Sequence, residues 1–85
     1  MEEKIALIGI IVEDLNAAAQ VNALLHEYAD KILGRMGLPC RDRGISIISV
    51  VLGARADEIS TLAGKLGRIA GIKVKSMQTD ARGAK

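Results

Sequence analysis

Residues 5–12 read IALIGIIV, an almost unbroken run of aliphatic and β-branched side chains. A run of this length and composition suits a strand buried on both faces better than it suits a helix. Residues 45–52 read ISIISVVL and have the same character. We therefore expect these two runs to form the central strands of one sheet, with the rest of the chain arranged around them.

An amphipathic helix is predicted after the first of these strands. From residue 18 to residue 28 the apolar side chains fall three or four positions apart, which is the spacing of one helix face. Asp14 or Asn16 stands where an N-cap is needed. The pattern predicts a first helix that packs one face against the sheet.

A second helix is predicted after the second central strand. Its apolar stripe runs through residues 59–70, and Asp57 and Glu58 stand in its first turn, where acidic side chains favour the helix dipole. Gly71 is suited to the left-handed residue that ends many helices. We expect the helix to end there.

Two weaker segments complete the sheet. Residues 33–39 contain two glycines and Pro39, which disfavour a helix but are tolerated in an edge strand, and residues 40–44 form a polar turn. Residues 72–76 read IKVKS, the strict alternation of a half-exposed edge strand. The order βαββαβ predicts an α+β, ferredoxin-like fold with a four-stranded antiparallel sheet.

This topology leaves one sheet face without a helix. Two helices cover only one face, so alternate residues of the central strands would form a continuous aliphatic surface on the other. A surface of that size predicts a partner, and another copy of the same chain is the simplest one. We expect a homo-oligomer, either a dimer or a tetramer.

Length, charge and composition limit the classes of protein to which this chain can belong. The 85 residues suffice for one domain, assigned to residues 1–78, and the small polar residues 79–85 predict a flexible tail. A net charge of +2 and a single aromatic residue, Tyr28, make direct nucleic acid binding an unfavourable interpretation. One cysteine, no secretory leader and no span long enough for a membrane predict a cytoplasmic protein.

Few side chains in this sequence are of the types that catalyse reactions or bind metals. His26 is the only histidine and Cys40 the only cysteine, too few for a structural metal site, so we expect no metal, no cofactor and no catalytic residue. Arg41 and Arg43 beside Cys40 would favour its thiolate, although an inert loop cysteine is the simpler interpretation. Together with Arg35, these arginines could bind an anionic metabolite, or they could be solvated charges that protect an edge strand.

The glycines of residues 64–67, GKLG, resemble a phosphate-binding loop only superficially. They fall inside the second predicted helix, whereas a phosphate loop lies between a strand and a helix. We expect these glycines to allow close packing of that helix against another element.

Three segments together resemble a known family. They are residues 21–26, VNALLH; residues 37–39, GLP, with flanking Arg35 and Arg41; and residues 64–75, GKLGRIAGIKVK. In combination they resemble the regulators assigned to the iron-only hydrogenase system, over roughly residues 4–78.

The resemblance implies a small ACT-like regulatory protein. ACT-like domains bind effectors between subunits, so it also implies a ligand site at a subunit interface, or a surface that binds a protein of the hydrogenase system. The residues expected to bind a small anionic effector are Asn22, His26, Arg35 and Arg41.

That family is in turn similar to the C-terminal domain of the nickel-responsive repressor. Residues 26–28, His-Glu-Tyr, match a stretch of the repressor, but its nickel-ligand positions fall on Ala29, Gly37, Pro39 and Ile45, which cannot ligate nickel. The repressor's N-terminal DNA-binding domain is also expected to be missing, because the first strand begins by about residue 5. We expect neither nickel sensing nor autonomous DNA binding.

Two other functional classes remain as alternatives. An enzyme of the acylphosphatase type has this fold and size, but it needs a phosphate-cradling loop after the first strand, and residues 12–16, VEDLN, are acidic there. A DNA-binding transcriptional regulator would need a basic recognition helix, which the sequence does not show. The leading interpretation is a regulator without catalytic activity.

Overall fold

The computed structural model describes residues 2–81, which form four strands and two α-helices in the order βαββαβ. In chain order the elements are β1 (Glu3–Val12), α1 (Ala18–Glu27), β2 (Ile32–Cys40), β3 (Ile45–Arg55), α2 (Ala56–Gly67) and β4 (Ile72–Asp80). Short 3₁₀ turns at Leu15–Ala17 and Arg41–Arg43 precede α1 and β3.

The strands form one antiparallel sheet in the order β2-β3-β1-β4. The two aliphatic runs are therefore the central strands, and the two weaker segments are the edges, as the sequence predicts. At the middle of the sheet, Leu7 of β1 lies between Val51 of β3 and Met77 of β4. The expected ferredoxin-like, ACT-like fold is confirmed.

Both helices pack on one face of the sheet and form the core there. Ile8 and Ile10 of β1 are fully buried against this layer, since every second residue of a strand points to the same face. Leu25 of α1 and Leu62 of α2 are fully buried opposite them. Burial of these aliphatic side chains is the main term that stabilises the domain.

Local signals begin both helices. The Asp14 carboxylate accepts a hydrogen bond from the Asn16 backbone N–H at 3.0 Å and so caps the 3₁₀ turn that leads into α1. At α2 the backbone N–H of Arg55 donates to the Glu58 carboxylate at 3.0 Å. This contact satisfies a donor that the helix itself leaves free.

Strand and helix ends differ from the sequence expectation. β3 continues beyond Leu52, where the aliphatic run ends, to Arg55, because its pairing with β1 persists to Glu3. α2 ends at Gly67, and Gly71 adopts its positive φ of 87° in the turn just before β4.

The last strand is also longer than expected. β4 includes Thr79 and Asp80, two residues that the sequence assigned to the tail, because they pair with Ile5 and Lys4 of β1. Residues 82–85 of the predicted tail lie outside the described residues.

Candidate functional site

Two of the four predicted ligand residues meet at the outer edge of the helix layer. Arg35 of β2 lies opposite the buried Val50 and so points to the helix side of the sheet. Its Nη2 donates a hydrogen bond to Oδ1 of Asn22 on α1 at 2.8 Å. Both side chains are exposed, so the remaining N–H groups of the guanidinium face solvent in an orientation fixed by Asn22.

The other two predicted residues are placed differently. His26 follows Asn22 by one helical turn, so the two lie on the same exposed side of α1. Arg41 lies in the 3₁₀ turn beyond the end of β2, separated from Arg35 by most of that extended strand, roughly 20 Å. Within one chain, Asn22, Arg35 and His26 therefore form one group, and Arg41 belongs to the opposite end of β2.

Cys40 and the glycines of residues 64–67 lie in regular secondary structure. Cys40 is the last residue of β2 and pairs with Ile45 at the margin of the sheet. Gly64 and Gly67 lie in α2, as expected, which excludes a phosphate loop there. The expectation that these two glycines allow close packing is wrong, because a Cβ at either position would meet open space.

The loop between β1 and α1 is tied to the turn before β4. The backbone N–H groups of Glu13 and Asp14 both donate to the Gly71 carbonyl, at 2.8 and 2.9 Å. A Cβ on Gly71 would lie 2.6 Å from the Asp14 Cβ, so the turn and the loop are in direct contact. Backbone amides that an anion would need at this loop are therefore already engaged.

The sheet face opposite the helices is largely apolar. We call it the open face. Its side chains come from alternate positions on all four strands. They are Ile5, Leu7, Gly9 and Ile11; Ile45, Ile47, Ser49, Val51 and Gly53; Gly34, Met36, Leu38 and Cys40; and Lys73, Lys75, Met77 and Thr79.

Several of these apolar side chains are strongly exposed. Leu7 is 41% exposed and Ile11 38%, although both lie on the central strand of the sheet. On the edge strands, Met36 and Met77 are about two-thirds exposed, at 67% and 68%. Exposure of this kind over one continuous surface is typical of a binding face rather than of scattered surface residues.

Two depressions mark the open face between β1 and β4. The larger, of about 460 Å³, lies around Gly9, where the missing side chain leaves a gap between Ile11 and the stems of Lys73 and Lys75. The smaller, of about 330 Å³, lies beside Leu7 and Met77. Their linings are mainly apolar, so they fit side chains or ligand carbons better than charged groups.

Charged side chains lie at both ends of the open face and also beside its middle, where Lys75 pairs with Gly9. At the first end, Arg55 of β3 pairs with Glu3 of β1. The Glu3 carboxylate lies over Gly53 at this end, with one oxygen 2.8 Å from where a Gly53 Cβ would stand. Lys73 lies toward the other end and pairs with Glu13 at 3.5 Å. This separation could not be predicted from the sequence, because it depends on the strand register.

Two ion pairs beside the sheet shift the pKa values of their members. The Asp80 carboxylate, in contact with the Lys4 ammonium, raises the pKa of Lys4 above its ordinary value. The Arg55 backbone N–H lowers the pKa of Glu58, and the Lys31 ammonium at 3.4 Å contributes in the same direction. Both pairs join strand or helix ends and lie away from the centre of the open face.

A family model described as "TM1266-like: Iron-only hydrogenase system regulator, putative" matches residues 4–76. The chain belongs to this family. The solved structure of TM1266 from Thermotoga maritima, described as an uncharacterized protein, is 41% identical and superposes with a TM-score of 0.87. The match covers 93% of this chain and 100% of that one.

More distant structures share the fold of this family member. The ACT domain of GTP pyrophosphokinase from Chlorobium tepidum is 20% identical, with a TM-score of 0.75 over 88% of this chain and 99% of that one. The C-terminal domain of MgtC from Mycobacterium tuberculosis is 17% identical, with a TM-score of 0.67 over 96% and 94%. No curated protein matches the chain.

Two properties of residues 2–81 concern metal binding and membrane spanning. No group of three or more His, Cys, Asp or Glu side chains in this part of the chain is arranged to hold a metal ion. No helix within the same residues is long and apolar enough to cross a membrane.

Proposed function

We propose that this family member is a cytoplasmic, homo-oligomeric regulatory module that works by binding rather than by catalysis. It would bind a small anionic molecule, or a protein of the iron-only hydrogenase system, and transmit that binding through its assembly. The observation that carries the proposal is the open face, where Leu7 and Ile11 remain exposed at the centre of the sheet. An aliphatic surface of this extent is stabilised when a partner removes it from water.

The anionic ligand is proposed from the arrangement around Arg35. Asn22 holds one edge of the guanidinium at 2.8 Å and leaves its other donors directed to solvent. A carboxylate or phosphate can accept two such N–H groups at once, which makes arginine well suited to these anions. His26, one turn away on α1, adds a polar group on the same side.

Arg41 would join this site only across a subunit contact. Its position beyond the end of β2 separates it from Arg35 in the same chain by roughly 20 Å of strand. An oligomer can bring the end of β2 from one subunit next to α1 of another. This placement supports an effector site shared between subunits, which would couple ligand binding to assembly.

The β1–α1 loop favours a binding module over an enzyme of the acylphosphatase type. A phosphate cradle there would need free backbone N–H groups, whereas those of Glu13 and Asp14 donate to the Gly71 carbonyl. The two carboxylates of the same residues would also repel a phosphate. Both effects oppose phosphoryl chemistry at this loop.

Native mass spectrometry of the protein purified from its own host tests the proposal. We expect a non-covalent small molecule bound to the oligomer, and its loss in the double variant Arg35→Ala with Arg41→Ala. The matched control is Arg68→Ala, which removes an exposed arginine at the end of α2. Equal occupancy in all three proteins would contradict the proposed ligand site.

A thermal melt provides a second readout with the identified molecule. A ligand at ten times its dissociation constant adds about 1.4 kcal/mol to the free energy of unfolding. For a domain of this size that raises the Tm by about 6–11 °C. The double variant should melt close to the wild type without ligand, because exposed arginines contribute little stability, and should show no ligand-induced shift.

A further inference from the structure

We propose that the larger depression of the open face binds a medium-length aliphatic carboxylate, with the hydrocarbon chain beside Gly9 and the carboxylate paired with Lys75. This site is separate from the anion site proposed around Arg35, which lies on the helix side of the sheet. The inference goes beyond the proposed function, because it depends neither on the arginines nor on the oligomer.

The depression exists because position 9 of the central strand β1 is a glycine. Gly9 pairs with Ser49 on one side and with Lys75 on the other, so it lies in the interior of the sheet. Its φ is not positive, and a Cβ there would meet only the Lys75 carbonyl oxygen, at 4.0 Å. The fold therefore does not require glycine at this position. A glycine inside a strand weakens the strand and often marks a place where another molecule approaches closely.

Hydrocarbon forms most of the wall of the depression. On the open face it is lined by Ile11 of β1, Ile47 of β3 and the stems of Lys73 and Lys75 of β4. Its volume of about 460 Å³ falls within the range of about 300–1,000 Å³ that is usual for small-molecule sites. An aliphatic chain in this place would remove the 38% exposed Ile11 from water, which favours binding.

The two lysines of β4 give the depression a positive border. Lys73 and Lys75 are two residues apart on the strand, so both side chains leave the same face of the sheet. Lysine stems lie along apolar surface while the ammonium group stays at its edge in water. Lys73 pairs with Glu13 at 3.5 Å, whereas no carboxylate of residues 2–81 pairs with Lys75. The Lys75 ammonium is therefore available to a ligand.

The apolar gap and the ammonium together select an amphipathic anion. A neutral hydrocarbon would fill the gap but would leave Lys75 without a counter-charge, and a small inorganic anion would leave the gap unfilled. A carboxylate on an aliphatic chain satisfies both, because a charge-assisted hydrogen bond to the ammonium adds to the burial of the chain. If the subunits associate through the open face, the chain also fills a gap that their contact would otherwise leave.

Calorimetric titration of the full chain with octanoate tests the site. We expect saturable binding that tightens about two- to fourfold with each methylene added from butanoate through hexanoate to octanoate, since the chain enters an apolar gap. Octylammonium is the matched control ligand, because it has the same chain and the opposite charge. It should bind at least about tenfold more weakly than octanoate.

Two variants test the two halves of the site. Gly9→Val fills the depression and should weaken octanoate binding at least about tenfold, yet it should raise the Tm by a few degrees, because valine suits a strand interior better than glycine. Lys75→Gln keeps most of the stem, removes the charge and should weaken binding about two- to fivefold. The matched control is Lys65→Gln, since Lys65 lies on α2 over Tyr28, on the other side of the sheet, and binding should not change. If Gly9→Val does not fold, Gly9→Ala takes its place, because there is room for its Cβ.

The outcomes separate this inference from the proposed function. Octanoate binding that strengthens with chain length and is lost in Gly9→Val supports the site. Absent binding, equal binding of octylammonium, or binding that neither Gly9→Val nor Lys75→Gln weakens overturns it and leaves the oligomeric regulator intact. Amide chemical shifts in the nuclear magnetic resonance spectrum locate the ligand: changes at Gly9 and Lys75 support the site, and changes confined to Asn22 and Arg35 overturn it in favour of the anion site of the proposed function. A monomer that binds octanoate in this way supports the site and contradicts the proposed oligomer.

Discussion

Replacing Gly71 with alanine should lower the free energy of unfolding by about 3 kcal/mol. Gly71 has a φ of 87°, a conformation that costs an L residue roughly 1–2 kcal/mol. The new Cβ would also lie 2.6 Å from the Asp14 Cβ, so the loop must shift, and overpacking of this kind costs about 1–3 kcal/mol. The shift would disturb the two N–H groups that the Gly71 carbonyl accepts.

Two glycine controls separate these terms. Gly44 has a φ of 70° but open space around it, so Gly44→Ala should cost only the backbone term, about 1 kcal/mol. Gly64 lies within α2 with open space around its Cα, so Gly64→Ala should stabilise the protein by up to about 1 kcal/mol. Urea denaturation at one fixed protein concentration measures all three. A Gly71→Ala cost no larger than that of Gly44→Ala would refute the tight loop contact.

Four other outcomes are expected. Leu7→Lys should convert the oligomer to a folded monomer, whereas Leu15→Lys, at an exposed leucine off the open face, should not, as light scattering will show. Leu62→Ala should lower the free energy of unfolding by about 2–5 kcal/mol in urea, because Leu62 is fully buried. Glu58→Gln should lower the Tm at neutral pH. Because folding lowers the pKa of Glu58, its contribution to the free energy of unfolding is fully present above the ordinary pKa of 4.5. This contribution disappears as the pH falls further, so the melting temperatures of the wild type and the variant should converge in acid. Duplex DNA carrying hydrogenase promoters should not be retained in a gel shift at physiological salt, and nanomolar sequence-specific retention would contradict this.

The fold could be predicted because its strongest signals are local. The aliphatic runs of β1 and β3 and the apolar stripes of the two helices each appear within a short window of sequence. The exposed sheet face could be predicted because two helices can cover only one of the two faces of a sheet. Strand ends were less predictable, since β3 and β4 extend as far as their pairing partners on β1 allow.

The functional surfaces depend on contacts that no local pattern contains. Asn22 and Arg35 are thirteen residues apart, and only the packing of α1 beside β2 brings them to 2.8 Å. The separation of Glu3 from Lys73 on the open face likewise requires the register of β1 with β3 and β4. Alternation in residues 72–76 showed that the lysines share a face, but it could not show which face.

Sedimentation velocity of the wild-type chain over micromolar concentrations tests the central claim most directly. We predict dimers or tetramers throughout this range, because the open face leaves Leu7, Ile11 and Met77 exposed in a single subunit. A stable, folded monomer at every concentration would contradict it.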